Sequence, residues 1–165
     1  SDFADLAVIA VLEAIAVSAV PLHIEHDLPG ISGVPARQVF SIVKSLSKLF
    51  PLYADKRVHL FHKSSIDWLT GTGFDRTLDK YSGYYVDRIA AHRHVAAACA
   101  ATLLQRGVLD ADATVRLQRL QSEVNHHTTR EAPYDYALSW TVHHLIAADL
   151  LKEARALLCS SSFVK

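Results

Sequence analysis

The chain has 165 residues, half of them apolar, and its 17 basic and 17 acidic residues give a formal net charge of zero. This length suits one domain or two small ones, and the apolar content argues against a disordered chain. Proteins that hold nucleic acid through its phosphates usually carry a basic excess, so the balanced charge argues against that class of function. Ala and Leu are prominent and Gly is sparse, which favours a mainly helical fold.

Cysteine usage and hydropathy bear on the compartment. Cys99 and Cys159 lie in predicted helices without close spacing, so we expect two small buried apolar groups in a reducing compartment rather than a disulfide. The apolar run from Leu6 to Val20 is interrupted by Glu13 and is shorter than the roughly 20 residues of a membrane span. We therefore expect a cytoplasmic protein without a membrane partner. The absence of Met leads us to expect a segment of a longer protein.

The chain opens with a predicted helix. Asp2 or Asp5 can cap it, and it should run to about Val20 and end at Pro21. Residues 23–33 contain a Pro and two Gly, so they are expected to form at most a short helix with a turn.

An amphipathic helix and a β-hairpin are predicted next. The helix should cover Ala36–Phe50, because its apolar residues recur at steps of three and four. That apolar face comprises Val39, Phe40, Val43, Leu46 and Phe50. Leu52–Ala54 and Val58–Phe61 flank a short charged connection, which predicts a hairpin. Three helices followed by a two-stranded wing predict a winged-helix domain over residues 1–70.

The remainder of the chain is predicted to be a linker and a helical domain. Residues 71–84 are rich in Gly and are predicted as the linker, and residues 85–165 as a helical connector domain. Its four predicted helices are Arg88–Gln105, Asp112–Asn125, Pro133–Ala148 and Asp149–Cys159. In the second of these, Val115, Leu117 and Leu120 should lie on or near one face. The predicted fold is therefore mainly α, a winged-helix domain (three helices and a β-hairpin) followed by an α-helical bundle or solenoid-like connector.

Motifs for catalysis or metal binding are missing from the sequence. There is no Gly-x-x-x-x-Gly-Lys-Ser/Thr phosphate loop and no His-Glu-x-x-His helix. Eight of the ten histidines are closely spaced in pairs: His23 and His26, His92 and His94, His126 and His127, and His143 and His144. Neighbouring residues on a helix point about 100° apart, so the adjacent pairs cannot chelate as simple pairs. We expect no enzyme activity in this chain, no catalytic residue and no metal ligand.

Basic residues near the predicted wing leave DNA binding as an alternative. Arg37, Lys44 and Lys48 lie on the preceding helix, and Lys56 and Arg57 lie in the hairpin. Binding at physiological salt usually takes about 6–10 phosphate contacts, more than this set provides. We therefore do not expect a nucleic-acid partner, and we interpret these residues as a solvated basic edge.

One histidine lies at a predicted strand-to-helix corner. The strand Val58–Phe61 leads directly into His62, Lys63 and Ser64, and an aromatic-bearing helix follows. On the residues alone we favour a corner histidine that caps this helix or hydrogen-bonds a carbonyl. The alternative is an anion site, because free N–H groups and the positive end of a helix dipole both favour negative charge there.

The run Phe61–Leu69 (FHKSSIDWL) resembles the Phe/Leu-His-Lys-Ser-Phe-x-Asp/Glu-Phe/Trp-Leu motif of NACHT-type signal-transduction ATPases, a group of STAND proteins that includes the NOD-like receptors. Ser65 stands where Phe is usual. Tyr85-Val86-Asp87 followed by His92 resembles a second stretch of that family. The segment Tyr136–Leu145, with Trp140 and His144, resembles a third. In the family the first motif closes the winged-helix domain.

The resemblance implies a role in a nucleotide-controlled switch. His62 would contact the β-phosphate of ADP, with Lys63 and Ser64 beside it. The chain would hold the ADP-bound resting state and couple an upstream ATPase module to downstream ankyrin or WD repeats. It implies no cofactor in the fragment itself, and ADP or ATP with Mg²⁺ in the parent protein. Further partners would be other proteins or a second copy. The alternative is a non-catalytic protein-interaction scaffold.

Overall fold

The computed structural model describes residues 2–59, 63–71, 85–124 and 129–164. Over these residues the fold is mainly helical, as the sequence predicted. The chain divides into two compact units, Ser1–Arg88 and Ile89–Lys165. The predicted linker, 71–84, lies outside the described residues except for Gly71. The predicted domain boundaries stay predictions.

The first unit alternates helices with two very short strands. In chain order the elements are α1 (Asp2–Val17), β1 (Leu22–His23), α2 (Leu28–Ser32), α3 (Ala36–Ser45), β2 (Arg57–Val58) and α4 (Lys63–Thr70). The helix α1 packs against each of the other three helices.

The second half of α1 forms the core of this unit. Residues 10–17 are all buried, because the helix is apolar on most sides and therefore needs cover on most sides. The helix ends at Val17, three residues before the predicted end at Val20. A residue before proline is disfavoured in the helical region, so Val20 before Pro21 cannot easily continue the helix.

The strands pair differently from the predicted hairpin. Leu22 and His23 of β1 pair antiparallel with β2, which the sequence did not predict. Leu52 adds only an isolated antiparallel bridge to Val58. The turn before β2 is closed by Lys56, whose φ of 58° is left-handed and whose N–H donates to the Tyr53 carbonyl. Val58 thus lies between two extended segments.

The helix α2 agrees with its sequence pattern, whereas α3 is shorter than its pattern suggests. α2 confirms the short helix predicted within residues 23–33, and Gly33 ends it with a left-handed φ of 72°. α3 ends at Ser45, and turns continue to the fully buried Phe50. Phe40 was predicted on the apolar face but is 49% exposed. Apolar residues at steps of three and four therefore do not show whether the helix continues to Phe50 or gives way to turns before it.

The second unit consists of helices over its described residues. They are α5 (Arg88–Arg106), α6 (Ala111–Val124), α7 (Tyr134–Ala147), α8 (Leu151–Cys159) and α9 (Ser161–Val164). The helix α8 packs against α6, α7 and α9. The four predicted helices are therefore present, with bounds that shift by a few residues.

Small buried residues allow the elements of this unit to approach α5 closely. The stretch 95–101 of α5 is buried and consists mainly of Ala. The chain before α7 docks on it: Ala132 N–H donates to the Ala98 carbonyl, and the Thr102 hydroxyl donates to the Ala132 carbonyl. Gly107, with a left-handed φ of 64°, follows the end of α5, as glycine commonly does after a helix.

Two hydrogen bonds of Asp110, one from its backbone and one to its side chain, fix the start of α6. The Asp110 carboxylate accepts the N–H of Ala113, and the Asp110 N–H donates to the Ser160 hydroxyl after α8. Leu117 and Leu120 are buried as predicted, whereas Val115 is 54% exposed and lies off their face.

None of the helices in the described ranges is both long enough and apolar enough to span a membrane.

Candidate functional site

The residues predicted to contact a nucleotide lie at the start of α4. His62 is outside the described residues. Lys63 is the first residue of α4 and is exposed, and Ser64 follows it in the first helical turn. β2 ends at Val58 and α4 begins at Lys63, so the described part of the predicted run, Lys63 and Ser64, opens the helix that follows β2.

The other end of α4 is held by the segment that precedes α5. The Val86 N–H donates to the Leu69 carbonyl at 2.7 Å. Gly71 has a left-handed φ of 66°, and a Cβ there would meet the Tyr85 ring at 3.2 Å. A residue with a Cβ would therefore be strained at Gly71, and glycine is favoured where α4 ends.

The second unit contains a group of histidines that we call the core histidine cluster, consisting of His92, His143 and His144. The Nδ1 atoms of His92 and His144 are 2.9 Å apart. The Tyr136 hydroxyl lies 2.7 Å from Nε2 of His144. His92 and His144 are buried, and His143 is exposed. The cluster therefore reaches from the interior of the unit to its surface.

Two helices assemble this cluster. Tyr136 and His144 are eight residues apart on α7, a little over two turns, so they share one face. His92 comes from α5, where its neighbours Ala91 and Val95 are also buried. Small and β-branched residues at these positions let the imidazole of α5 reach that of α7.

Hydrogen-bonding rules restrict where the protons can lie on the side chains of His92, His144 and Tyr136. Between two neutral imidazoles one Nδ1 must donate and the other must accept. If His144 Nδ1 accepts from His92, then His144 Nε2 carries a proton and donates to the Tyr136 oxygen. If His144 Nδ1 donates, its Nε2 accepts from the Tyr136 hydroxyl. Either arrangement satisfies both ring nitrogens of His144.

Burial, with a smaller contribution from the neighbouring His92 and His143, lowers the pKa of His144 to about 3. The imidazolium form is disfavoured because it would lose its hydration in the core. His144 is therefore a neutral imidazole at physiological pH, able to act as one donor and one acceptor.

A buried thiol, Cys99, lies on α5 and hydrogen-bonds Thr141 of α7. Burial raises the pKa of Cys99 to about 12, although its hydrogen bond with Thr141 acts in the opposite direction. Such a thiol remains protonated and is a poor nucleophile. Cys99 is buried as predicted, but Cys159 is exposed at the end of α8, contrary to the prediction, and both cysteines are free.

A second group, which we call the turn cluster, consists of His23 at the end of β1 and of Glu25 and His26 in the turn before α2. The N–H groups of Glu25 and His26 both donate to Nδ1 of His23, at 3.1 and 3.2 Å. Glu25 forms an ion pair with Lys56 at 3.1 Å, and this contact is the main reason that its pKa is lowered. The polar atoms of this cluster already hold the turn together.

No protein-family model, curated protein or solved structure matches this chain.

The core histidine cluster was not predicted from the sequence. His92 and His144 are 52 residues apart, and the separate histidine pairs gave no indication that they would meet. The available signal was the eight-residue spacing of Tyr136 and His144, which places two hydrogen-bonding side chains on one face of α7. His126 and His127 lie outside the described residues.

Proposed function

We propose that this chain is the regulatory part of a NACHT-type nucleotide-controlled switch. It would hold the ADP-bound resting state through His62 and couple an ATPase module to a repeat domain. The observation that carries the proposal is that Lys63 and Ser64 form the start of α4, the helix that follows β2 in the chain.

A corner of this kind suits a phosphate. The first N–H groups of a helix lack partners within the helix, and the helix dipole adds partial positive charge at the same end. Lys63 is exposed there and adds a full charge. A histidine that immediately precedes such a helix can donate to the same anion.

The strand pairing of the first unit supports a winged helix over residues 1–70. Its elements follow the order helix, strand, helix, helix, bridge and strand, with β2 paired to β1 on one side and bridged to Leu52 on the other. A winged helix requires this central position of its last strand. The wing is shorter than the hairpin that the sequence suggested.

The second unit supports the proposed connector over residues 85–165. Its helices are joined by short connections, and α8 packs against three others. A packed helical unit of this kind transmits a displacement of one end to the other, because close-packed interiors do not deform continuously. This is the property that coupling to a repeat domain requires.

The test replaces His62 by Leu in the protein that includes the proposed ATPase module. A hydrogen bond from a charged donor contributes roughly 1.5–3 kcal/mol, so its loss should weaken ADP binding about 10- to 150-fold. We expect stoichiometric ADP in the purified wild type, and faster ADP release and an open or oligomeric form in H62L. Bound nucleotide is measured after denaturation, and release by displacement of a fluorescent ADP analogue.

His59→Leu is the matched control. His59 lies three residues earlier and is already engaged by Asp55 at 3.2 Å and by the Tyr53 ring. We expect H59L to retain ADP as the wild type does. Equal ADP release from H62L and wild type would contradict the role of His62. A parent protein without a phosphate-binding loop or bound nucleotide would favour the scaffold alternative.

The DNA-binding alternative gains little from the wing. Lys56 is paired with Glu25, and Arg57 with Asp27 at 3.3 Å, so acidic partners already offset the charge of the turn. If the chain bound duplex DNA with an affinity that falls steeply as salt concentration rises, that result would support the DNA-binding alternative.

A further inference from the structure

We infer that the core histidine cluster is a zinc-binding site, with His92, His143 and His144 as its protein ligands. This inference goes beyond the proposed switch and does not depend on it. It rests on three imidazoles from two helices that converge within the second unit.

The donor atoms are close to the spacing that zinc requires. One nitrogen from each of the three rings lies within 4.8 Å of the other two. Zn–N bonds of about 2.0–2.1 Å in a tetrahedral site separate the ligand nitrogens by about 3.3 Å. The 2.9 Å gap between the two buried rings would have to widen by about 0.4 Å, a small adjustment of two side chains.

The third ligand is free to adjust because it is exposed. His143 is the residue before His144 on α7, and their ring centroids are 5.0 Å apart. An adjacent pair on a helix does not chelate by itself, but here His92 of α5 supplies the third nitrogen within reach of both. Its ring can rotate towards the two buried nitrogens without repacking the core, since exposed side chains change rotamer readily. In a three-histidine zinc centre water takes the fourth position, and at this site it would approach from the side of the exposed His143.

The protons of the two buried rings can be rearranged for metal binding while both rings stay neutral. Two inward-facing Nδ1 lone pairs are needed, so the proton between His92 and His144 must move to an outer Nε2. On His144 that nitrogen faces the Tyr136 oxygen at 2.7 Å, which then accepts the N–H. Both rings stay neutral, and Tyr136 orients the ligand ring as outer partners of metal-bound histidines commonly do.

The ligand set determines the class of metal. The cluster as described contains imidazoles alone, and imidazole suits zinc, copper and nickel, whereas magnesium and calcium prefer oxygen ligands. An ion held by residues of both α5 and α7 joins these helices. Binding to the folded state alone then raises the stability of the unit as zinc concentration rises.

The turn cluster provides an internal control. It also contains two histidines within reach of each other, but Nδ1 of His23 accepts two backbone N–H groups and Glu25 is paired with Lys56. We therefore expect it to bind zinc weakly or not at all. His26 is exposed, so its replacement by Ala should leave the fold intact.

The experiment titrates Zn²⁺ into tag-free protein stripped with a chelator, and follows heat by calorimetry and the unfolding temperature by circular dichroism. The variants are His143→Ala and His26→Ala. Loss of an outer-shell partner typically weakens metal binding 10–100-fold, so loss of a direct ligand should weaken it at least about tenfold. We expect that loss in H143A, and wild-type affinity in H26A.

Trp140 supplies an optical readout of the site. Its ring lies 5.9 Å from the ring of His143, so Co²⁺ at the cluster should quench Trp140 emission, and this quenching should vanish in Trp140→Phe. The visible absorption of bound Co²⁺ should be that of a four-coordinate ion. No binding to the wild type, equal affinity in H143A, or binding lost only in H26A would overturn the inference.

Discussion

The two histidine clusters use the same side chain in opposite ways. In the turn cluster, His23 accepts hydrogen bonds from backbone N–H groups two and three residues ahead, so its role is set by local sequence. In the core cluster, His144 is fully buried and contacts His92 from a distant helix. The first arrangement stabilises a turn. The second creates a neutral, desolvated ligand set, and only tertiary packing can produce it.

The largest expected effect is the loss of His144. His144→Ala removes a buried ring and its hydrogen bonds to Tyr136 and His92, so we expect about 3 kcal/mol of destabilisation. Urea unfolding of the metal-free protein measures this. His26→Ala, in the exposed part of the turn cluster, should change stability by less than about 0.5 kcal/mol. Equal losses in the two variants would remove the distinction between the clusters.

Acidification should destabilise the protein through His144 of the core histidine cluster, even when no metal is bound. The pKa of His144 is about 3 in the folded protein and 6.5 is its ordinary value, so between these values the unfolded chain binds a proton that the folded chain does not. This stability is present above pH 6.5 and is lost as pH falls towards 3. It should decrease by about 2 kcal/mol by about pH 5.

The measurement is urea unfolding against pH in the presence of a chelator. His144→Phe keeps a ring of similar size and removes the titrating group, so its stability should fall less steeply over this range. An identical acid slope in the wild type and H144F would show that groups other than His144 account for it.

Local signals predicted the helices of both units. Pro35 and Pro133 immediately precede α3 and α7, and Gly107 ends α5, because the fixed φ of proline and the left-handed freedom of glycine act on single residues. Within the described residues, these helix ends can therefore be predicted without knowing the rest of the fold.

Long-range contacts were beyond the sequence pattern. β1 is two residues long and forms because β2 lies beside it, and a pair of residues carries no periodicity of its own. The meeting of His92 and His144 likewise depends on how α5 packs on α7. The predicted nucleotide contact at His62 came from a resemblance to a family motif, and it remains a prediction.

A smaller effect is expected at the turn cluster itself. His23→Ala removes the acceptor of two backbone N–H groups and should destabilise the first unit by about 1 kcal/mol. His23→Asn offers a side-chain oxygen in a similar place and should recover part of this loss, as Asn does in turns. The unfolding temperatures of the wild type, H23A and H23N measure this loss and its recovery. If H23N is no better than H23A, ring stacking on His26 rather than hydrogen bonding stabilises the turn.

The smallest effect is expected at the ion pair that flanks this turn. Glu25 and Lys56 have side chains that are 52% and 57% exposed, so water screens their attraction and both remain well hydrated when separated. Glu25→Gln should therefore leave the unfolding midpoint unchanged at moderate salt and lower it slightly at low salt, where screening is weaker. A clear decrease at moderate salt would mean that the pair fixes the turn against β2. The turn cluster would then depend on a contact between distant parts of the chain, as the core cluster does.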